Sequence, residues 1–207
     1  MRLQIHEAKI EIKPENKVVL ITGDGRTFPK DMEEFMSWGI PHDVMAMGRT
    51  INIYPGRVMH WANVDSEESI WWAENLPLKN NGKMPIRHTL GDCRAYDVDW
   101  EIIDDIKYWK EDDGLWYGST ALFSAYICVA LGYEKIILAG CPMDMKGWWF
   151  FDKKEIGPRW QGECYLSWLE FAKNGGSEKV RSLSGYTGQM LGKPNKLWVN
   201  GEIHPFR

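Results

Sequence analysis

Four groups of glycines and polar residues in this chain could bind a phosphate or move a proton. They are 23–27 (GDGRT), Asn63 with Asp65, 118–120 (GST) and Asp144 at the end of 140–144 (GCPMD). Glycines let a backbone turn approach a ligand closely, and free N–H groups at the start of a helix bind anions. We therefore expect an anionic ligand, such as a nucleotide, wherever these groups meet.

Each group also has a plain structural interpretation. Gly23, Asp24, Gly25, Arg26 and Thr27 lack the third glycine of the dinucleotide fingerprint, so they are also compatible with an ordinary strand-to-helix turn. Ser119 and Thr120 are compatible with simple helix capping.

The two aspartates are equally open. Asp65 could bind ribose hydroxyls or a metal, or cap a helix that starts at Ser66. Asp144 could be a turn residue after Pro142. The conjunction of all four groups is more informative than any one of them.

The elements that must position these groups alternate between strand and helix. Buried apolar runs predict strands at 17–23, 43–47, 57–64, 85–90, 135–140 and 179–183. Apolar faces and capping residues predict helices at 27–38, 119–131, 163–173 and 188–191, with an acidic helix start at 66–68. The segment 91–114 has no clear periodicity.

This alternation predicts a single α/β domain over residues 1–207, Rossmann-like, with a mostly parallel sheet and helices on both faces. In such sheets the ligand lies in a crevice at the carboxyl ends of the strands. All four polar groups follow predicted strands or open predicted helices at that edge. A segment rich in tryptophan and phenylalanine, 141–162, is expected to form a lid-like excursion.

The amino-acid composition argues against two classes of function, nucleic-acid binding and membrane insertion. A net charge of -4 and a pI near 5.8 argue against binding nucleic acid through a basic surface. No stretch reaches the roughly 20 apolar residues of a membrane span, and the N-terminal residues are highly charged, so we expect a cytoplasmic protein.

The cysteines and tryptophans suggest further expectations. The four cysteines, Cys93, Cys128, Cys141 and Cys164, are widely spaced and are expected to be reduced thiols. Twelve tryptophans exceed the needs of an ordinary core, and some would suit a pocket or a homo-oligomer contact.

Three segments resemble the sialyltransferases of glycosyltransferase family 42 and the related MptE-like, motility-accessory-factor group. The segments are GDGRTF, VMHWANVDSE and, above all, STALFSAYICVALGYEKIILAGCPMDMKGWWFFD. The similarity covers roughly residues 17–152. It implies a Rossmann-like enzyme that binds an activated sugar nucleotide without a metal or cofactor and transfers the sugar to an acceptor.

The resemblance also implies roles for individual residues. The loop Gly23 to Thr27 and the helix start Ser119-Thr120 would cradle the nucleotide, Asn63 would contact the donor, and Trp148 to Asp152 would begin a lid. Those enzymes use a lid histidine as general base, but no histidine lies between Trp148 and Trp198 here. Asp144, Asp152 and His60 are therefore the candidates for catalysis, since a base needs hydrogen-bond reach of the acceptor hydroxyl.

Two other functions stay open. Pyrophosphoryl transfer, as in the pterin diphosphokinase branch of the same resemblance, would need Mg²⁺ held by Asp65 and Asp144. A binding protein that keeps the pocket without the chemistry would also explain the missing histidine.

Overall fold

The computed structural model describes residues 3–64, 84–90, 96–102, 119–144 and 158–202. Within these ranges eight strands form one sheet. They are β1 (Leu3–Ala8), β2 (Val18–Thr22), β3 (Asp43–Met47), β4 (His60–Ala62), β5 (Ile86–Leu90), β6 (Val98–Ile102), β7 (Lys135–Ala139) and β8 (Val180–Ser182). The order across the sheet is β1-β6-β5-β4-β3-β2-β7-β8. Only β1 with β6 is an antiparallel pair.

Helices connect the strands and cover the sheet. They are α1 (Phe28–Met36), α2 (Thr120–Ala130), α3 (Pro158–Phe171), α4 (Ser177–Lys179), α5 (Gly185–Leu191) and α6 (Lys196–Val199). A 3₁₀ turn (Gly48–Asn52) follows β3, and a π-helical segment (Ala172–Gly176) follows α3. The predicted α/β architecture with a mostly parallel sheet is confirmed. None of the helices in the described ranges has the length and apolar character to cross a membrane.

Each face of the sheet has its own core, which explains the uninterrupted apolar run of β2. Val19 and Ile21 pack with α2 and α3 on one face, whereas Val18 and Leu20 pack with α1 on the other. A strand covered on both faces needs apolar residues at every position. Helix α1 buries Phe28, Met32 and Phe35 from one stripe at helical spacing.

The strands that follow β2 in the chain are added on both of its sides. The chain runs through α1 to β3 and on towards β6 on one side, whereas β7 pairs with the other side of β2 and leads to β8. The order of the strands therefore reverses between β2 and β7. In open α/β sheets, such a reversal opens a crevice at the carboxyl ends of the two strands.

Two strands were absent from the sequence prediction. β1 is exposed along five of its six residues, so it has no buried run that could reveal it. β6 alternates buried Val98 and Trp100 with less buried Asp99 and Glu101 inside the segment left unassigned. The predicted helix start at 66–68 and most of the excursion at 141–162 lie outside the described residues.

A buried chain of hydrogen bonds crosses β6, β5, β4 and β3. Trp100 Nε1–H donates to His88 Nδ1 (3.0 Å), so the neutral His88 ring carries its proton on Nε2, which lies 3.0 Å from His60 Nδ1. His60 Nε2–H then donates to the Tyr133 hydroxyl (2.8 Å), and Tyr133 donates to Asp43 Oδ2 (2.8 Å). Both histidine rings are fully buried.

Burial sets the charge state of His60. Burial lowers the pKa of His60 from its ordinary 6.5 to about 4, against the opposing charge of Asp43, and burial also holds the pKa of His88 well below its ordinary value. The side chain of His60 is buried within the sheet, and its Nε2 bonds Tyr133, which in turn bonds Asp43 at the start of β3. The role of His60 as a catalytic base stays a prediction, and the structure places the ring in a buried position with a hydrogen-bond partner on each nitrogen.

We predict that the free energy of unfolding falls as the pH drops from about 6.5 to 4. Since the unfolded chain binds a proton at His60 in this window and the folded chain does not, stability is complete above pH 6.5 and is lost towards pH 4, by roughly 3 kcal/mol. Urea unfolding at a series of pH values measures it. His6→Gln, on the exposed strand β1, is expected to leave this dependence intact. Equal slopes for the wild type and His60→Gln between pH 6.5 and 4 would contradict the assignment.

Candidate functional site

The loops after β2 and β7 meet at the reversal point of the sheet. Gly23 N–H donates to Ala139 O (2.8 Å), and Gly25 N–H donates to Gly140 O (2.8 Å). These bonds continue the pairing of β2 with β7 beyond the ends of both strands. The segments 23–27 and 140–144 are therefore in direct contact. The sequence predicts each of them separately as part of a binding site.

Glycine is required at this contact for steric reasons. A Cβ at Gly23 would lie 2.5 Å from Gly140 O, and a Cβ at Gly25 would lie 2.4 Å from Pro142 Cδ. Gly140 has a φ of +69°, and its own Cβ would lie 2.2 Å from Gly23 O. The glycines thus serve the approach of two protein loops.

The contact also occupies amides that the resemblance assigns to a phosphate. The N–H groups of Gly23 and Gly25 are bonded to β7 and its loop, and Phe28 N–H donates to Gly25 O (2.9 Å). Pro29, in the first turn of α1, has no N–H group. In this loop the exposed side chain of Arg26 is better placed to bind an anion than these amides are.

A buried carboxylate stands directly behind the loop. Asp31 is only 2% exposed, and its Oδ2 accepts hydrogen bonds from Gly140 N (2.9 Å), Thr27 Oγ1 (2.9 Å) and Ser184 Oγ (2.6 Å). It lies in the first turn of α1, where a negative charge is favoured by the helix dipole. Burial raises the pKa of Asp31 above its ordinary value, although the three hydrogen bonds lower it.

A third loop, between β8 and α5, completes this edge and was missed by sequence reasoning. Thr187 Oγ1 donates to Cys141 O (2.7 Å), and Tyr186 N–H donates to Pro142 O (2.9 Å). The signal was available, because Ser184-Gly185 follows a predicted strand just as Gly23 to Thr27 does. It was overlooked because the predicted final helix started only at residue 188.

The loop after β7 carries the backbone outlier of the described ranges. Met143 is a non-glycine residue with a positive φ of 51°, and its side chain is buried. Such conformations are costly and concentrate at functional sites. Next to it, burial and the charges of Asp31 and Asp24 raise the pKa of the Cys141 thiol well above its ordinary value. Cys141 is therefore a protonated core side chain at neutral pH and is poorly suited to act as a nucleophile.

The other predicted binding residues within the described ranges lie along the same edge. Asn63 follows β4 directly and is buried. Ser119 is the N-cap of α2, and its hydroxyl accepts from Leu122 N–H (3.3 Å). Because the carboxyl end of α2 leads into the start of β7, Ser119 and Thr120 lie at the opposite end of the helix, on the side of the carboxyl edge.

The three catalytic candidates lie in different places. Asp144 follows β7 in the edge loop and is half-buried. Asp152, like the binding candidate Asp65, lies outside the described residues. His60 lies in the buried hydrogen-bond chain and not at this edge. Across the part of the chain that the structure describes, no three histidine, cysteine or acidic residues cluster as metal ligands.

We predict that Gly25→Ala lowers the free energy of unfolding by about 2–3 kcal/mol, because its Cβ would overlap the Pro142 ring and Gly140 O. Gly39→Ala is the control. Gly39 has a φ of +64° but open space around its Cβ, so only backbone strain of about 1 kcal/mol is expected there. Chemical denaturation measures both. An equal loss in the two variants would show that the loops do not meet as described.

We predict that the stability of the wild type relative to Asp31→Asn increases as the pH is lowered from 7 towards 4. A carboxyl group whose pKa is raised by folding binds its proton more readily in the folded chain, so acidification favours the folded wild type. The asparagine variant lacks this contribution. Glu33→Gln, exposed on the same helix, is the control. Parallel urea curves at pH 7 and pH 4.5 measure the difference, and a constant difference would contradict the assignment.

Comparison with known proteins does not extend the argument from geometry. No family model, no curated protein sequence and no solved structure matches this chain. The candidate site is therefore supported by geometry alone. A polar edge lies where the strand order of the mostly parallel sheet reverses, and three loops that are hydrogen-bonded to one another build it.

Proposed function

We propose that this protein binds a nucleotide or nucleotide sugar at the carboxyl edge of its sheet and transfers the glycosyl group to an acceptor, without a metal or other cofactor. The observation that carries the proposal is the reversal of strand order between β2 and β7, with the loops 23–27 and 140–144 at that point. Ligands of open α/β sheets bind at such points.

The side chains around this edge suit a phosphorylated donor. Arg26 is exposed on the β2–α1 loop and can pair with phosphate oxygens. Thr120 is half-buried at the start of α2, and Asn63 follows β4, so both offer polar groups near the expected donor. The proposed catalysis consists of positioning the donor and stabilising its leaving phosphate.

Asp144 is our proposed general base for the acceptor. It is half-buried in the loop that contains the strained Met143, and an acidic side chain in such a loop can be held in one orientation. A carboxylate accepts the proton of an acceptor hydroxyl only within hydrogen-bond reach.

The proposal includes a cytoplasmic location, a small-molecule donor and no nucleic-acid partner. Cys128 and Cys141 are buried free cysteines, which is compatible with a reducing compartment. The negative net charge favours neither DNA nor RNA. A homo-oligomer would be an assembly of this same unit.

We predict that calorimetry with a panel of nucleotides and nucleotide sugars detects binding, and that Arg26→Ala weakens it about 10- to 100-fold through loss of a charge-assisted contact. Arg57→Ala is the matched control. Arg57 is also exposed but pairs with Glu15 towards the amino edge, so its loss is expected to leave the affinity unchanged. Failure of the whole panel to bind, or equal affinities for wild type and Arg26→Ala, would overturn the proposed site.

A binding protein without chemistry is the second candidate. It is favoured by the placement of the described histidines, His6, His42, His60 and His88, none of which lies in the loops of the carboxyl edge. Consumption of a bound donor by the pure protein separates the candidates, and Asp144→Asn should abolish that consumption without loss of binding. Consumption that depends strictly on added Mg²⁺ would instead favour pyrophosphoryl transfer.

A further inference from the structure

The loop between β8 and α5 is held against the candidate site at every position from Ser184 to Thr187. Gly185 has a φ of +69°, and a Cβ there would lie 2.2 Å from Pro142 O. Tyr186 N–H donates to that same carbonyl oxygen (2.9 Å). On either side, Ser184 Oγ lies 2.6 Å from Asp31 Oδ2, and Thr187 Oγ1 lies 2.7 Å from Cys141 O.

The side chain of Tyr186 is more exposed than the neighbouring groups that hold its backbone in place. Thr187 is fully buried, whereas Tyr186 is 42% exposed. A large aromatic residue is therefore held partly in solvent by a backbone that is bonded to the loop 140–144. A ring on a fixed backbone loses little conformational entropy when a ligand stacks on it.

The polar groups of the candidate site and this ring are chemically suited to different parts of one ligand. Arg26 and Thr120 suit a phosphate, whereas a tyrosine ring offers its face to a flat heterocycle. Stacking on an aromatic side chain is a general way to hold a base with little regard for its sequence identity. A ligand that carries both a phosphate and an aromatic base satisfies both parts.

We propose that Tyr186 stacks on the base of the nucleotide and thereby makes this site prefer ligands that carry a base over ligands that have only a sugar phosphate. This inference rests on the proposed function, because it names the residue that recognises the aromatic part of the same ligand. The phosphate is bound by other residues, so the ring is expected to contribute to nucleotides and not to a sugar phosphate.

Calorimetry with the four ribonucleoside 5′-monophosphates and with ribose 5-phosphate, which has no base, tests the inference. We expect Tyr186→Ala to weaken nucleotide binding roughly 5- to 100-fold and to leave ribose 5-phosphate binding unchanged. Tyr186→Phe keeps the ring and is expected to retain the wild-type affinity. Tyr165→Ala removes a tyrosine of similar exposure from the middle of α3 and is the matched control.

The possible results distinguish failure of this inference from failure of the proposed function. If the wild type binds nucleotides and Tyr186→Ala binds them equally well, the stacking role is overturned and the proposed function stands. An equal loss for nucleotides and ribose 5-phosphate would also overturn it, since the base would then not be the part recognised. If the wild type binds no nucleotide at all, both are overturned. Circular dichroism of each variant verifies its fold.

Discussion

The carboxylate of Asp31 is the interaction on which the carboxyl edge depends. Three separate segments of the chain donate to a single oxygen of this side chain: the loop before α1, the loop after β7 and the loop after β8. Without a common acceptor these loops would each need their own means of satisfying buried polar groups. In many α/β proteins a bound anion supplies the negative charge at the start of a helix. At the start of α1 the carboxylate of Asp31 supplies part of this charge from within the protein.

A second buried network, within the sheet, is organised by a different kind of interaction. There the buried polar groups form a line of neutral donors and acceptors that ends at Asp43, which also accepts from Glu15 N–H (2.9 Å) and Asn16 Nδ2 (2.7 Å). The line ties β3 to β6 and to the segment before β2. The molecule thus places one buried aspartate at each edge of the sheet. The amino edge is devoted to cohesion, and the carboxyl edge combines cohesion with exposed polar side chains.

Much of the sheet could be predicted from the sequence, because β2, β3 and β7 are covered on both faces and show this as unbroken apolar runs. β1 could not, since an edge strand with solvent on both faces need not be apolar. The meeting of loops 23–27 and 140–144 followed from the parallel topology, but its detail did not. Glycines that suggest room for a phosphate look the same in sequence as glycines that make room for Pro142. The strand that contains His60 could be predicted, but the hydrogen-bond partners of its ring could not, because His88 and Tyr133 are distant in the sequence.

The close packing of Gly25 on Pro142 and of Gly185 on the Pro142 carbonyl has a consequence for the rate of ligand capture. Loops that share hydrogen bonds and leave no space between their backbones cannot open one at a time. This wall of the candidate site is therefore preformed, so a ligand that bound here would meet it in a single collision step and would pay no cost of ordering it. Any slow closing step in the proposed reaction would then have to arise in other parts of the chain.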